Sequence, residues 1–461
     1  MRSATMTVTT TPTAAGATAS ASADTRSDFD FERDTSSGSG PGSPTAPTLA
    51  LPAPYGSCPY DPPPGYTQAA AGAPVSRAEL PDGTPCWLVT GHQEVRAVLA
   101  DPRFSADART PGFPFLSPGQ RQLATAQPSF IRMDDPEHSR LRKMVARDFL
   151  TRRVRELRPA ITDVVEAAVG AMTAGGRRTA DLVADFALPV PSLVICLMLG
   201  VPYEDHALFQ SLSRTLLDNT TDPGRAAGAH RELMGYLAGL AERKRRDPGD
   251  DILSRLAVRP DLTARETASL GFMLLITGHE STTNMAALSV LTLLRHPGQA
   301  ARLRAEPALI PGAVEELLRY LTIIHLGLGR AATADVTVGG ATIRAGDGVI
   351  CMLSTANRQP ELFGSADLTE PTGSTGTAEA RGGGSPCPDE LDVTRDARRH
   401  VAFGHGPHQC LGHTLARVEL QIMLETVLRK LPGLRLAVPE EQLVFQRDAI
   451  VYGLRELPVA W

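Results

Sequence analysis

The sequence predicts a mainly α fold with a small β region. Three observations predict it. Apolar residues recur at helical spacing over long runs, the longest starting at Thr263 and stopping at Pro297-Gly298. Runs with strand character are short and confined to residues near 75–89, 329–354 and 449–454. The 461 residues are 42% hydrophobic, enough to bury a large core. Length alone would allow two or three domains.

Composition excludes several classes. A formal net charge of −5 gives no reason to expect nucleic acid. The cysteines at 58, 86, 196, 351, 387 and 410 lack paired spacing, so a disulfide framework is not expected and a reducing compartment fits. No apolar stretch reaches the roughly 18–20 residues that span a bilayer. The N-terminus lacks a signal-peptide core, and its Ser/Thr/Ala-rich start lacks the amphipathic arginine pattern of a transit peptide. The expectation is a cytoplasmic protein without membrane contact.

In chain order, residues 1–48 are Thr, Ala, Ser, Gly and Pro with few large apolar side chains, and are expected to be disordered. Pro62-Pro63-Pro64-Gly65 reads as a rigid lead-in. A hairpin with an Asp82-Gly83 turn covers residues 75–89, and a short helix covers 94–100. The loop from Phe104 to Phe130 is long enough to suggest a functional role. Asp134-Asp135-Pro136-Glu137 opens a helix with acids at its positive end. On it His138 and Arg142 share a face. Amphipathic helices are expected over 153–173, 188–199, 205–218 and 226–246.

Thr263-Ala264-Arg265-Glu266 is a capping box that starts the longest helix, about 50 Å at ~1.5 Å per residue. Its middle, Thr277-Gly278-His279-Glu280-Ser281-Thr282-Thr283-Asn284, departs from helical preference. A mid-helix glycine costs roughly 1 kcal/mol against alanine. The Ser281 hydroxyl can bond back to the Thr277 carbonyl. A polar patch at a helix crossing and a functional site both fit. The helix from Pro311 to Tyr320 carries Glu316 and Arg319 at i and i+3, a common pair. Strands follow at 329–332, 336–338, 341–343 and 349–354. Residues 364–386 are rich in Gly, Ser and Thr and read as a flexible surface insertion. A late hairpin is expected around Tyr452-Gly453.

Phe403-Gly404-His405-Gly406-Pro407-His408-Gln409-Cys410 is a glycine-rich loop that delivers one cysteine to a helix start, with that helix running over 411–431. Free backbone N–H groups and the helix dipole favour a thiolate there. The residues leave an inert buried thiol, a nucleophile, a redox thiol and a metal ligand all open. His400, His405, His408 and His413 add a zinc site, although no C-x-x-C accompanies them.

The pattern Phe403-x-x-Gly406-x-x-x-Cys410-x-Gly412 resembles the haem-ligand loop of the cytochrome P450 superfamily. Upstream segments resemble the family in the same order. His138/Arg142 is similar to its H-x-x-x-R, Gly278-x-Glu280-Ser281-Thr282 to its oxygen-binding groove, and Glu316/Arg319 with Arg395 to its buried ion-pair scaffold. Ser281 stands where the family has threonine, and Thr277 where it has Ala or Gly. The stretches 128–138 and 186–196 look like the soluble actinobacterial branch.

The resemblance covers residues 49–461 and implies one mainly α domain with a long central helix and a proximal cysteine loop and helix. It implies haem b (iron protoporphyrin IX) with Cys410 as the iron ligand. His138, Arg142, Arg330 and His408 would hold the propionates. Glu280, Ser281 and Thr282 would deliver protons to O2. The implied activity is a monooxygenase that hydroxylates or epoxidises an apolar small molecule, such as a polyketide or macrolide, with electrons from a ferredoxin and ferredoxin reductase. Arg140, Lys143, Arg147, Arg398 and Arg399 would form the docking face. Pocket walls would come from 104–130, 205–235, 273–277, 323–326, Cys351-Met352 and 450–451. A peroxide-dependent peroxygenase and a non-catalytic haem protein are the alternatives. Against them stand the retained Glu280-Ser281 pair and the absence of an output module.

Overall fold

The computed structural model describes residues 48–461, except 118–119, 122–123, 125–128, 218–221, 365–386 and 448. The tail up to residue 47 and nearly all of the 364–386 insertion lie outside the described residues. Residues 48–461 form one unit. It is mainly helical with three small sheets. No described helix is long and apolar enough to cross a membrane.

The long central helix, Ala264–Arg295, organises the fold. Its capping box forms: Thr263 accepts from the Glu266 N–H at 3.1 Å, and the Glu266 carboxylate accepts from the Thr263 N–H at 2.9 Å. Helices Pro189–Leu199, Pro223–Arg246, Ile310–Leu321 and His413–Lys430 pack around it. Close packing depends on small residues. A Cβ on Gly278 would meet Ile195 at 3.3 Å, and one on Gly271 would meet Leu253 at 2.9 Å.

The largest sheet has six strands, in the spatial order Leu49–Ala50, Val75–Glu79, Pro85–Val89, Gly348–Cys351, Leu328–Ala332 and Phe104–Ser105. It joins the chain start to its later half, with Trp87 paired to Val349 and Arg330 to Val349 on the other side.

Several expectations need correction. Pro64 is not part of a rigid lead-in but opens the helix Pro64–Gly72, since proline is at home in a first helical turn. Pro297 ends the central helix and, for the same reason, begins another, Pro297–Ala305. The strand expected over 349–354 stops at Cys351, because Leu353–Ala356 is already a helical turn. The late hairpin contracts to a single bridge between Phe445 and Leu454. Cys351 and Met352 are fully buried in apolar clusters around the central strand, so they do not present a pocket wall.

Candidate active site

Residues 401–410 form a tight loop ahead of the helix His413–Lys430. Gly404 and Gly406 have φ of 70° and 73°, a region that favours glycine. A Cβ on Gly406 would meet the Leu99 carbonyl oxygen at 2.5 Å, so the loop lies directly on the helix His92–Ala100. The Gln409 N–H donates to Gly406 at 3.0 Å, and the Cys410 N–H donates to Phe403 at 2.8 Å. These bonds hold Cys410 just ahead of Gly412, the helix N-cap. The Cys410 side chain is accessible although protein surrounds it deeply. Burial pushes its thiol up, while the Gly412 N–H and the charges of Arg142 and Arg417 pull it down. Burial wins, so the helix terminus alone does not supply the expected thiolate. A metal ion on sulfur deprotonates it outright.

His138 and Arg142 lie one turn apart on the helix Glu137–Ala146. The buried His138 ring stacks on His408 with centroids 4.0 Å apart. Its Nδ1 is 3.4 Å from the Asp135 carboxylate, while its Nε2 is buried and meets no partner among the described residues. Arg142 donates to the Gln409 carbonyl at 2.6 Å, beside the cysteine. Arg330, only 7% exposed, donates to the Gly329 carbonyl at 2.8 Å and meets no carboxylate among the described residues. A buried guanidinium without a counter-charge is costly. Burial, then the charges of Arg330, His138 and Arg142, hold His408 down at about 3. The two guanidinium groups of Arg142 and Arg330 and the two uncharged imidazoles of His138 and His408 form one cluster of hydrogen-bond donors.

In the middle of the central helix, five side chains bond back to carbonyls one turn earlier. Thr277 reaches Met273 at 2.8 Å, His279 reaches Leu275 at 2.8 Å, Ser281 reaches Thr277 at 3.2 Å, Thr282 reaches Gly278 at 3.4 Å, and Thr283 reaches His279 at 2.8 Å. The helix stays continuous through this stretch. Thr277 is exposed and Ser281 half-buried, whereas Thr282 and Thr283 are buried. Glu280 makes no hydrogen bond among the described residues, and burial pushes its carboxyl up to about 7.

Glu316, Arg319 and Arg395 meet in a buried cluster. Arg319 grips Glu316 with two bonds, 2.7 and 2.8 Å, and donates to the carbonyls of Asn357 and Pro388 at 3.0 and 2.7 Å. Arg395 reaches the same carboxylate at 3.2 Å and donates to the carbonyls of Phe363 and Cys387. These bonds pin the irregular segment before the cysteine loop onto the helix Ile310–Leu321.

A family model described as Cytochrome P450 matches residues 235–432. Cytochrome P450-SU2 of Streptomyces griseolus is 56% identical over 420 residues, covering 90% of this chain and 98% of that protein. The chain belongs to the cytochrome P450 family. Pentalenic acid synthase of Streptomyces avermitilis is 46% identical over 88% of this P450 and 96% of its own length. The crystal structure of GfsF superposes with a TM-score of 0.81 at 43% identity, covering 90% of this chain and all of that one.

The P450 family uses haem b, and the residues fit it. An accessible cysteine lies at the end of a glycine-shaped loop. Close by, the orphaned His138 Nε2 and the uncompensated Arg330 suit the two propionates of a flat, otherwise apolar group. Among the described residues, no cluster of His, Cys, Asp and Glu has the form of a zinc site. The sequence reading missed Glu315, whose partners His400 and Arg417 lie far along the chain, on either side of the cysteine.

Proposed function

We propose that this P450 is a monooxygenase that inserts one oxygen atom from O2 into an apolar small molecule, with electrons from a separate ferredoxin and its reductase. The observation that carries the reading is Glu280, which makes no hydrogen bond among the described residues, is pushed up to about 7 by burial, and stands next to Ser281 in the middle of the central helix. Haem b supplies the oxygen chemistry, which a cysteine thiolate ligand favours. Cys410 is that ligand in this reading. Arg142, Arg330, His138 and His408 would hold the propionates, whose negative charge would offset the cost of the buried guanidinium groups. Glu280 exchanges protons with solvent near neutral pH. The Ser281 hydroxyl, free to turn from the Thr277 carbonyl, passes them on. Thr282 is the weaker candidate for that step because it is buried. Glu316, Arg319 and Arg395 hold the scaffold.

Relatives suggest the substrate class. One is named Vitamin D3 dihydroxylase, another Nocardicin C N-oxygenase, and the similar hydroxylase MycCI was solved with mycinamicin VIII bound. Hydroxylation or epoxidation in secondary-metabolite tailoring follows by that likeness. The scattered cysteines, without paired spacing, suit a cytoplasmic setting.

The test is reconstitution with a ferredoxin and its reductase under isotopically labelled O2, on substrates chosen by haem spin-shift screening. One labelled oxygen atom in the product is expected. Turnover with hydrogen peroxide alone would replace this reading with a peroxygenase.

Ser281→Ala should keep haem and substrate binding but raise peroxide release per electron consumed, because a proton-transfer group is removed. Unchanged coupling would take the step away from Ser281.

The docking face is narrower than the sequence suggested. Arg140 is paired with Glu137 at 2.6 Å and Arg398 with Asp396 at 2.7 Å. Lys143 and Arg399 are exposed and form no ion pair among the described residues. Charge reversal at Lys143 and Arg399 together should slow reduction by the ferredoxin several-fold and weaken its salt dependence. The same change at Arg140 and Arg398 should do less. Equal effects would refute this assignment.

A further inference from the structure

Two adjacent acids on the helix Ile310–Leu321 turn to different partners. Glu316 serves the scaffold. Glu315 turns to the helix that follows the cysteine. Its carboxylate accepts from Arg417 Nε at 2.6 Å and Arg417 Nη2 at 2.9 Å, a two-pronged grip, and lies 3.2 Å from His400 Nε2. The Ala402 N–H donates to His400 Nδ1 at 3.1 Å, which leaves Nε2 as the protonated nitrogen facing Glu315. Burial would raise the Glu315 carboxyl, but the bonds from His400 and Arg417 outweigh it and hold it at about 2. Glu315 is therefore an anion throughout the working range.

Arg417 is held on several sides. Its guanidinium lies 4.6 Å from the centre of the Phe403 ring, and its Nη1 donates to His413 Nδ1 at 2.9 Å. Phe403 is the residue whose carbonyl takes the Cys410 N–H. Arg417 is also one of two cations whose field acts on the Cys410 sulfur, the other being Arg142. Glu315 thus fixes both where this charge stands and how much of it the cysteine loop feels.

We propose that Glu315 is a positioning residue that clamps Arg417 beside the cysteine loop, and that this opposed charge pair sets the reduction potential of the haem bound at Cys410. The inference rests on the reading of Cys410 as the haem ligand. Its sign follows from Coulomb's law. An electron arriving at the haem is stabilised by a nearby cation and opposed by a nearby anion. Removing the anion raises the potential. Removing the cation lowers it.

The test is the midpoint potential of the purified, haem-loaded protein, with the reduced, carbon monoxide-bound spectrum recorded for each variant. Glu315→Gln should raise the potential and Arg417→Gln should lower it. A tenfold change in the one-electron equilibrium corresponds to ~59 mV. The double variant should return toward the parent, and Arg417→Lys, which keeps the charge, should stay closest to it. A merely structural clamp would move both single variants the same way, because each would loosen the same loop. Shifts of the same sign, or none, overturn the proposal. If Glu315→Gln does not fold, the half-exposed Arg417 decides alone, since Arg417→Gln must lower the potential and Arg417→Lys must not. A parent protein without the red-shifted band of thiolate ligation would instead refute the assignment of Cys410.

Discussion

Arg319→Ala should leave little folded protein able to hold haem. The side chain is fully buried, and so is its partner Glu316. Removing one member of a buried pair costs about 3–5 kcal/mol, because the other charge is stranded. Here the cost extends further, since the carbonyls of Asn357 and Pro388 also lose their donor. Whole-domain stability is only about 5–15 kcal/mol. The urea midpoint should fall sharply, and the fraction of purified chain carrying haem should fall with it. Arg319→Lys should restore little, because a single ammonium cannot span two carboxylate oxygens and two carbonyls. A midpoint within error of the parent would show that the cluster bears no weight.

Cys410→Ala should abolish the strongly red-shifted Soret band of the reduced, carbon monoxide-bound protein. The fold should survive. The loop is held by backbone bonds from Gln409 and Cys410, which alanine keeps. Haem content should drop but not vanish, because the cluster of His138, Arg142, Arg330 and His408 does not involve the sulfur. Persistence of the band in this variant would remove Cys410 from the iron.

What the sequence revealed depended on range. The capping box at Thr263 and Glu266 was legible because its partners stand three residues apart and form where expected. The bond from Ser281 to Thr277 was legible for the same reason. Pro64 was misjudged, and Pro297, which does end the central helix, also opens a helix that went unseen, because proline suits a first helical turn. The run of residues 349–354 gave no local sign that Leu353 would turn helical. At the site, Cys410, His138 and Arg142 stood out by spacing and by resemblance. Glu315 did not. Its partner Arg417 is 102 residues away, and an acid beside Glu316 carries no pattern of its own. That Cys410 would be pushed up by burial was also hidden, because depth is a property of the packed chain.

The contact between Gly406 and Leu99 has a consequence for the order of assembly. The cysteine loop is moulded on a helix that lies about 300 residues earlier in the chain, and His92 reaches the Arg399 carbonyl across 307 residues. Tyr452 reaches back to Pro59 across 393. Contacts between such distant segments form late and make folding slow. Without residues 401–410 the helix His92–Ala100 has no cysteine loop to shape. Capture of haem by the complete site therefore waits until these distant segments have met.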